Sequence, residues 1–296
     1  MKRKVKFDYA RWIFVLPALL VVGILLIYPI FSSLYYSMTT KHLIKASYDF
    51  IGLENYKAVL SDSNFYKAFL TSILWTVGSL LGQLFIGFTA ALAIHRVKIG
   101  KGVYRTLMII PWAFPSIVIA LSWKWILNGV SGFLPNFLVQ LGICSELPQF
   151  LSDSSLVFLT LIFINVWFGA PMIMVNVLSA LQTIPQDQYE AAQILGYSRF
   201  QTFFKIILPQ VIKRILPSVT NEVITLVKDT SLAFTLSVAE MFSIAKALAA
   251  SQTNMIPFVA AGLFYYIFNL VVAVGMEWAE KKAVLNKVRK RSCCPI

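Results

Sequence analysis

Residues 155–181 read S-L-V-F-L-T-L-I-F-I-N-V-W-F-G-A-P-M-I-M-V-N-V-L-S-A-L, and they decide the fold. The stretch lies inside a run from Asp153 to Asp187 that holds no Asp, Glu, Lys or Arg. As a helix rising about 1.5 Å per residue it would be about 40 Å long, and roughly 20 apolar residues suffice to cross the hydrocarbon of a bilayer. The pattern recurs between Arg11 and Lys41, Lys67 and Arg96, Arg105 and Lys124, and Lys246 and Glu277. A further apolar stretch, 214–240, is interrupted by Glu222, Lys228, Asp229 and Glu240; it reads as a span because omitting it strands a long apolar segment outside the bilayer. Continuous apolar runs, rather than alternation at every second residue, disfavour a closed β-barrel. The expectation is an all-α integral membrane protein with six transmembrane helices near 12–36, 69–95, 106–128, 155–181, 214–240 and 257–280.

Composition agrees. The chain has 296 residues, 58% hydrophobic and 13% charged, with a mean hydropathy of +0.74. Soluble domains carry about 25% charged residues. The net charge of +13 does not mark a nucleic-acid binder, because its distribution follows the membrane. The N-terminus, 96–105, 182–214 and the tail hold 19 Lys and Arg, whereas 37–68, 129–154 and 241–256 hold five. That bias places the first set, with both termini, in the cytoplasm. The stretch Trp12 to Phe31 is longer than a signal-peptide core and is followed by no small-x-small cleavage site, so a retained first span is expected.

Absences narrow the chemistry. Cys144 is alone on the outer face and Cys293 and Cys294 lie in the tail, an arrangement that does not suggest a structural disulfide. With His42 and His95 as the only histidines, no His-rich metal or haem site is expected. No G-x-x-x-x-G-K-[ST] occurs, so the chain is not expected to hydrolyse ATP itself or to need a cofactor of its own.

One segment behaves unlike a span or a simple loop. Between the fourth and fifth spans stands T-I-P-Q-D-Q-Y-E-A-A-Q-I-L-G-Y-S-R-F-Q-T-F-F-K-I-I-L-P, residues 183–209. Thr183 with Gln186 has capping-box spacing, and Pro185 suits a first helical turn. The helix would run through Glu190, Ala191 and Ala192 and end at Gly196 in a left-handed cap. Ser198 with Gln201 opens a second helix that Pro209 is expected to close. Phe200, Phe203, Phe204 and Ile207 follow i, i+3, i+4, i+7 and would form one apolar face, packed into protein or membrane.

Glu190-Ala191-Ala192, three residues, Gly196, nine residues, then Ile206-x-Leu208-Pro209 resembles the E-A-A-x3-G-x9-I-x-L-P loop of binding-protein-dependent ABC importer permeases. The resemblance implies a six-span layout with a five-helix permease core and an N-terminal span. It also implies that Glu190, Ala191, Ala192, Gly196, Phe200, Phe203 and Phe204 couple to a separate ATPase subunit, where ATP and Mg would bind. The implied partners are a second permease subunit, homologous or identical, two ATPase subunits and an extracellular or periplasmic solute-binding protein. The implied location is the bacterial cell membrane, an exporter being disfavoured because the loop belongs to importers.

Residues 52–76 and 104–132 are similar to carbohydrate permeases of the maltose and glycerol-phosphate kind. Residues 221–234 and Val238-Ala239-Glu240-Met241 are similar to the fifth-span region of polar amino-acid permeases. The longer resemblance favours a sugar, a di- or oligosaccharide, with a polar amino acid as the alternative cargo. Outside the class stand a channel and a secondary transporter. The organisation expected is 1–68 for the basic terminus, first span and outer loop, 69–280 for the core with its coupling loop at 182–210, and 281–296 for a basic tail. Pro111 and Pro115 should kink or unwind the third span. Asn165, Asn176, Asn221 and Glu222 are polar at bilayer depth, and Trp112 and Trp167 could stack on sugar faces; together they are the candidate pathway residues. Helix–helix hydrogen bonding for the asparagines and interfacial anchoring for the tryptophans are the competing roles.

Overall fold

A computed structural model describes residues 9–41, 47–228, 241–252 and 256–292. The described residues are helical apart from loops and one isolated bridge between Thr39 and Phe50. The chain divides into two compact units, Met1–Phe65 with Ile244–Leu263, and Tyr66–Ser243 with Phe264–Ile296.

In the first unit, α1 (Tyr9–Val22) passes through a wide helical turn at Gly23–Ile27 into α2 (Tyr28–Ser37). The wide turn has a cause: Pro29 follows it, and the Tyr28 amide bonds back five residues to the Gly23 carbonyl. A proline ring clashes with the carbonyl four residues before it, and an i→i−5 turn accommodates it without breaking the helix. Beyond α2 the chain is clipped back onto itself. Asn55, in α3 (Glu54–Ser61), donates to the carbonyls of Ser37 and Thr39 at 2.9 and 3.0 Å. Tyr56 Oη lies 2.5 Å from Ser37 Oγ, and Gly52, at φ +63, makes the turn that brings both residues in.

The second unit is built around α8 (Ser154–Gln182), which packs along α4 (Ser63–Arg96) and α11 (Leu208–Lys228). The α4–α8 seam is close because glycine lines it. A Cβ on Gly82 would stand 2.4 Å from Val166, and one on Gly87 2.7 Å from the Ala170 carbonyl. Apolar side chains gain little by leaving lipid for protein, so membrane helices associate through such close backbone approach and through hydrogen bonds. At one end of the seam Ala91, Ile94, Met174, Leu178, Ile207 and Val211 form a buried cluster. At the other, Trp75, Ile119, Ala120, Leu161 and Ile164 form a second. Asp153 starts α8 by accepting from the Ser155 amide at 2.8 Å and the Ser155 hydroxyl at 2.7 Å, and these bonds hold its carboxyl below the usual range.

Four helical segments are long and apolar enough to cross a bilayer: Phe14–Ser37, Ser63–Arg96, Ser155–Gln182 and Ile256–Trp278. The third expected span, 106–128, is broken as its prolines require. It consists of α5 (Lys101–Ile109), a tight turn Pro111–Ala113 and α6 (Ser116–Ile126). Phe114, held extended at ψ 149 before Pro115, ends any helical continuity. A short helix α7 (Phe133–Gln140) follows. The fifth expected span starts earlier than 214, because α11 begins at Leu208; Asp229 and Glu240 lie outside the described residues. The last helices are α12 (Met241–Gln252) and α13 (Ile256–Ser292). Helices run unbroken through 68/69 and through 280/281, so neither expected boundary coincides with a loop.

Candidate functional site

The segment after α8 folds as a helical hairpin. Its first arm is α9 (Gln186–Ile194). Thr183 does not cap it, contrary to expectation: its hydroxyl donates to the Ala180 carbonyl at 2.7 Å, closing α8. Too few residues separate the two helices for Thr183 to serve both, because Ile184 is buried in the core and Pro185 already stands at the α9 N-cap. Gly196, at φ +76, ends α9. Its amide donates to the Gln193 carbonyl and that of Tyr197 to the Ala192 carbonyl, each at 3.0 Å, the bond pair of a Schellman cap.

Ser198 opens the second arm with a reciprocal capping box. Its hydroxyl accepts from the Gln201 amide at 3.2 Å, and the Gln201 side-chain oxygen accepts from the Ser198 amide at 3.0 Å. The arm comprises α10 (Arg199–Thr202) and a wide turn at Phe203–Ile207, which leads directly into α11. Pro209 therefore does not close the second helix. The Leu208 amide bonds back five residues to the Phe203 carbonyl, the same accommodation seen before Pro29, and the helix continues.

The expected apolar face splits lengthwise. Ile207 is fully buried and Phe203 packs on the core, edge-on to Phe88 with ring centroids 6.3 Å apart. Phe200 and Phe204 point away, 71% and 48% exposed, with centroids 4.3 Å apart. Glu190 and Ala191 are exposed, whereas Ala192 is buried. Ile194 and Leu195, 86% and 73% exposed, complete an apolar tip that the motif does not mark. They fall in its unspecified positions; an isoleucine and leucine directly before a helix-ending glycine were the available signal. Gln210 in α11 donates to the Gln188 side-chain oxygen at 2.7 Å, tying the two arms together. Burial raises the Tyr189 hydroxyl above its ordinary value, consistent with its packing on the core.

The candidate pathway residues do not converge. Asn165 is buried in the α4–α8 seam, where its side-chain oxygen accepts from Gln83 Nε2 at 2.8 Å. Gly169 makes room for that glutamine, since a Cβ there would stand 2.1 Å from Nε2. Asn176 accepts from the Ser218 hydroxyl at 3.1 Å and so joins α8 to α11. Both asparagines therefore hold helices together in this conformation rather than facing a common path. Trp167 and Trp112 are partly exposed, Trp167 edge-on to Trp123 with centroids 5.6 Å apart. Asn221 is exposed on α11 and Glu222 half-buried beside it. Among the described residues no group of three or more His, Cys, Asp or Glu could hold a metal.

Residues 83–284 match the family described as binding-protein-dependent transport system inner membrane component. The chain is 31% identical over 208 residues to the trehalose/maltose transport system permease protein of Thermococcus litoralis, covering 70% of each chain. It is 29% identical over 232 residues to the multiple sugar-binding transport system permease protein of Streptococcus mutans, covering 78% of each. Among solved structures it superposes on a chain of a bacterial ABC transporter involved in the import of the acidic polysaccharide alginate. The TM-score is 0.75 at 20% identity, covering 93% of this chain and 96% of that one.

Proposed function

The chain belongs to the binding-protein-dependent transport system inner membrane components, and from that premise we propose that it is the sugar-translocating permease subunit of an ATP-driven importer. It is a multi-pass membrane protein with both termini in the cytoplasm and six spans, the proline-broken 106–128 segment and the α11 region supplying the two beyond the four long helices. Its cargo is a di- or oligosaccharide released by an extracellular or periplasmic binding protein. The names of the similar permeases, trehalose/maltose and multiple sugar, support that class. It pairs with a second permease subunit, and two ATPase subunits bind ATP and Mg and supply the hydrolysis.

The observation that carries this reading is the hairpin. Gly196 and Ser198 set its bend by backbone and side-chain caps, and Phe203, Ile207 and the Gln188–Gln210 bond fasten it to α8 and α11. Its tip presents Glu190, Ala191, Ile194, Leu195, Phe200 and Phe204 outward. Exposed apolar anchors around a carboxylate suit a cleft on another protein, and the small Ala191 permits close approach. ATP-driven closure of the ATPase pair would move this rigid hairpin and, through it, the helices that bound the path, exchanging inward and outward access.

The test is reconstitution with the ATPase and binding proteins. Sugar-loaded binding protein should stimulate ATP hydrolysis in the wild type. A Phe200→Ala/Phe204→Ala permease should insert normally and lose both stimulation and ATPase binding. Wild-type stimulation in that variant would overturn the assignment of the hairpin.

A further inference from the structure

No Asp or Glu occurs between Asp62 and Glu146, although this stretch carries Arg96, Lys98, Lys101 and Arg105 within ten residues. The structure does not compensate them from elsewhere: Arg96, Lys98 and Arg105 are exposed, and among the described residues none is ion-paired with a carboxylate. Lys101 is committed differently. Its ammonium donates to the His95 carbonyl at 3.3 Å, closing the end of α4 as a cation does at a helix C-terminus.

Depth and shape add to charge. Arg96 is the last residue of α4, and Arg105 stands one residue before the expected third span, so both lie where hydrocarbon gives way to headgroups. Between them Ile99 projects 89% exposed, and on α5 Val103, Tyr104 and Leu107 are more than half exposed. Only Ile109, at the far end of α5, packs on the core. An apolar face interleaved with uncompensated cations is the signature of a helix lying in a membrane interface, its basic side chains reaching headgroup phosphates.

We infer that the α4–α5 corner is a binding site for anionic phospholipid, with Arg96, Lys98 and Arg105 holding the phosphate of a headgroup that has no ammonium of its own, and Ile99, Val103 and Leu107 seated among its acyl chains. Guanidinium groups suit phosphate through paired N–H donors. A soluble acidic partner would match the charges and leave the apolar residues in water, so the lipid fits the surface better. The corner leads through α5 into the Pro111–Ala113 turn, which packs on α8. An occupied site therefore fixes the mobile half of the broken span against the central helix.

The inference rests on membrane placement and not on coupling, so its test uses the permease chain alone. Purified protein is placed in phosphatidylcholine vesicles with trace spin-labelled phosphatidylglycerol or spin-labelled phosphatidylcholine, and the motionally restricted fraction is measured. The wild type should favour phosphatidylglycerol about fivefold or more, as expected for cations near a charged surface. Preference should fall towards one in the triple variant Arg96→Gln, Lys98→Gln, Arg105→Gln, persist in Arg96→Lys, Arg105→Lys, and persist in Lys57→Gln, Lys67→Gln. No wild-type preference overturns the site, as does a preference that survives the triple glutamine variant. If the triple variant keeps its lipid preference but loses binding of the purified ATPase subunit, the corner is a protein-docking surface and the inference is wrong.

Discussion

Gly196→Val isolates a single cause. The residue holds φ +76, and a Cβ built there meets nothing within 4 Å, so the substitution breaks no contact and fills no void. What remains is the conformational penalty of an L side chain in the left-handed region, about 1–2 kcal/mol, with β-branched residues among the worst placed. That corresponds to a factor of about 5–30 in the weight of the capped hairpin relative to conformers that lack the cap. Apparent affinity for the ATPase scales with the fraction of competent conformer, so binding should weaken by up to that factor. Gly196→Asn, whose short polar side chain tolerates the region, should lose much less. The assay is titration of purified ATPase against permease in nanodiscs, with circular dichroism to check that bulk helicity is unchanged. If valine, alanine and asparagine bind alike and like glycine, the Schellman cap does not shape the docking surface.

Further outcomes follow from the same geometry. Phe203→Ala should lower thermal stability by about 2–4 kcal/mol, since the ring packs on the core, whereas Ile194→Ala and Phe204→Ala should leave the melting temperature unchanged and weaken ATPase binding. A double-mutant cycle on Gln83→Leu and Asn165→Leu, read by unfolding in detergent, should give a coupling of about 0.5–2 kcal/mol; zero coupling would mean the 2.8 Å bond contributes nothing. Because the bonds from Ser155 hold the Asp153 carboxyl low, its support of the α8 start is present above the ordinary carboxylate range and lost on acidification through the lowered value. Wild-type melting temperature should therefore fall more steeply below pH 4 than that of Asp153→Asn. For the cargo, Glu222→Gln and Lys228→Met should impair assembly or ATPase stimulation; loss of substrate binding with assembly and stimulation intact would favour a zwitterionic amino acid.

Local features were legible in the sequence because their physics is local. Gly196, the Ser198–Gln201 box and the breaks at Pro111 and Pro115 depend on residues within four positions of one another, and all appear where read. Thr183 was misread because one hydroxyl had two nearby claimants, and nothing in the spacing says that the Ala180 carbonyl wins. The continuation through Pro209 was hidden for a related reason: one extra residue in the preceding turn removes the clash, and no side chain advertises it. The pathway residues were obscured by distance. Gln83 and Asn165 are 82 positions apart, so that a polar group on an apolar helix meets a partner helix, rather than cargo, follows only from the packing. The lengthwise division of the Phe200–Ile207 stripe likewise depends on which side of the helix Phe88 occupies.

The wide turn at Phe203–Ile207 also sets a phase. A helix advances about 100° per residue, so one additional residue in a turn rotates everything before it relative to everything after it. Phe200 and Phe204 thus owe their azimuth around α11 to a residue count rather than to a contact. Deleting one residue between Phe203 and Ile207 would restore ordinary i→i−4 geometry, swing the exposed pair by about 100° and press the Pro209 ring onto the carbonyl that then lies four residues before it. Length in this segment is therefore constrained more tightly than identity, and a one-residue indel here should be far more damaging than any single conservative substitution on the exposed side.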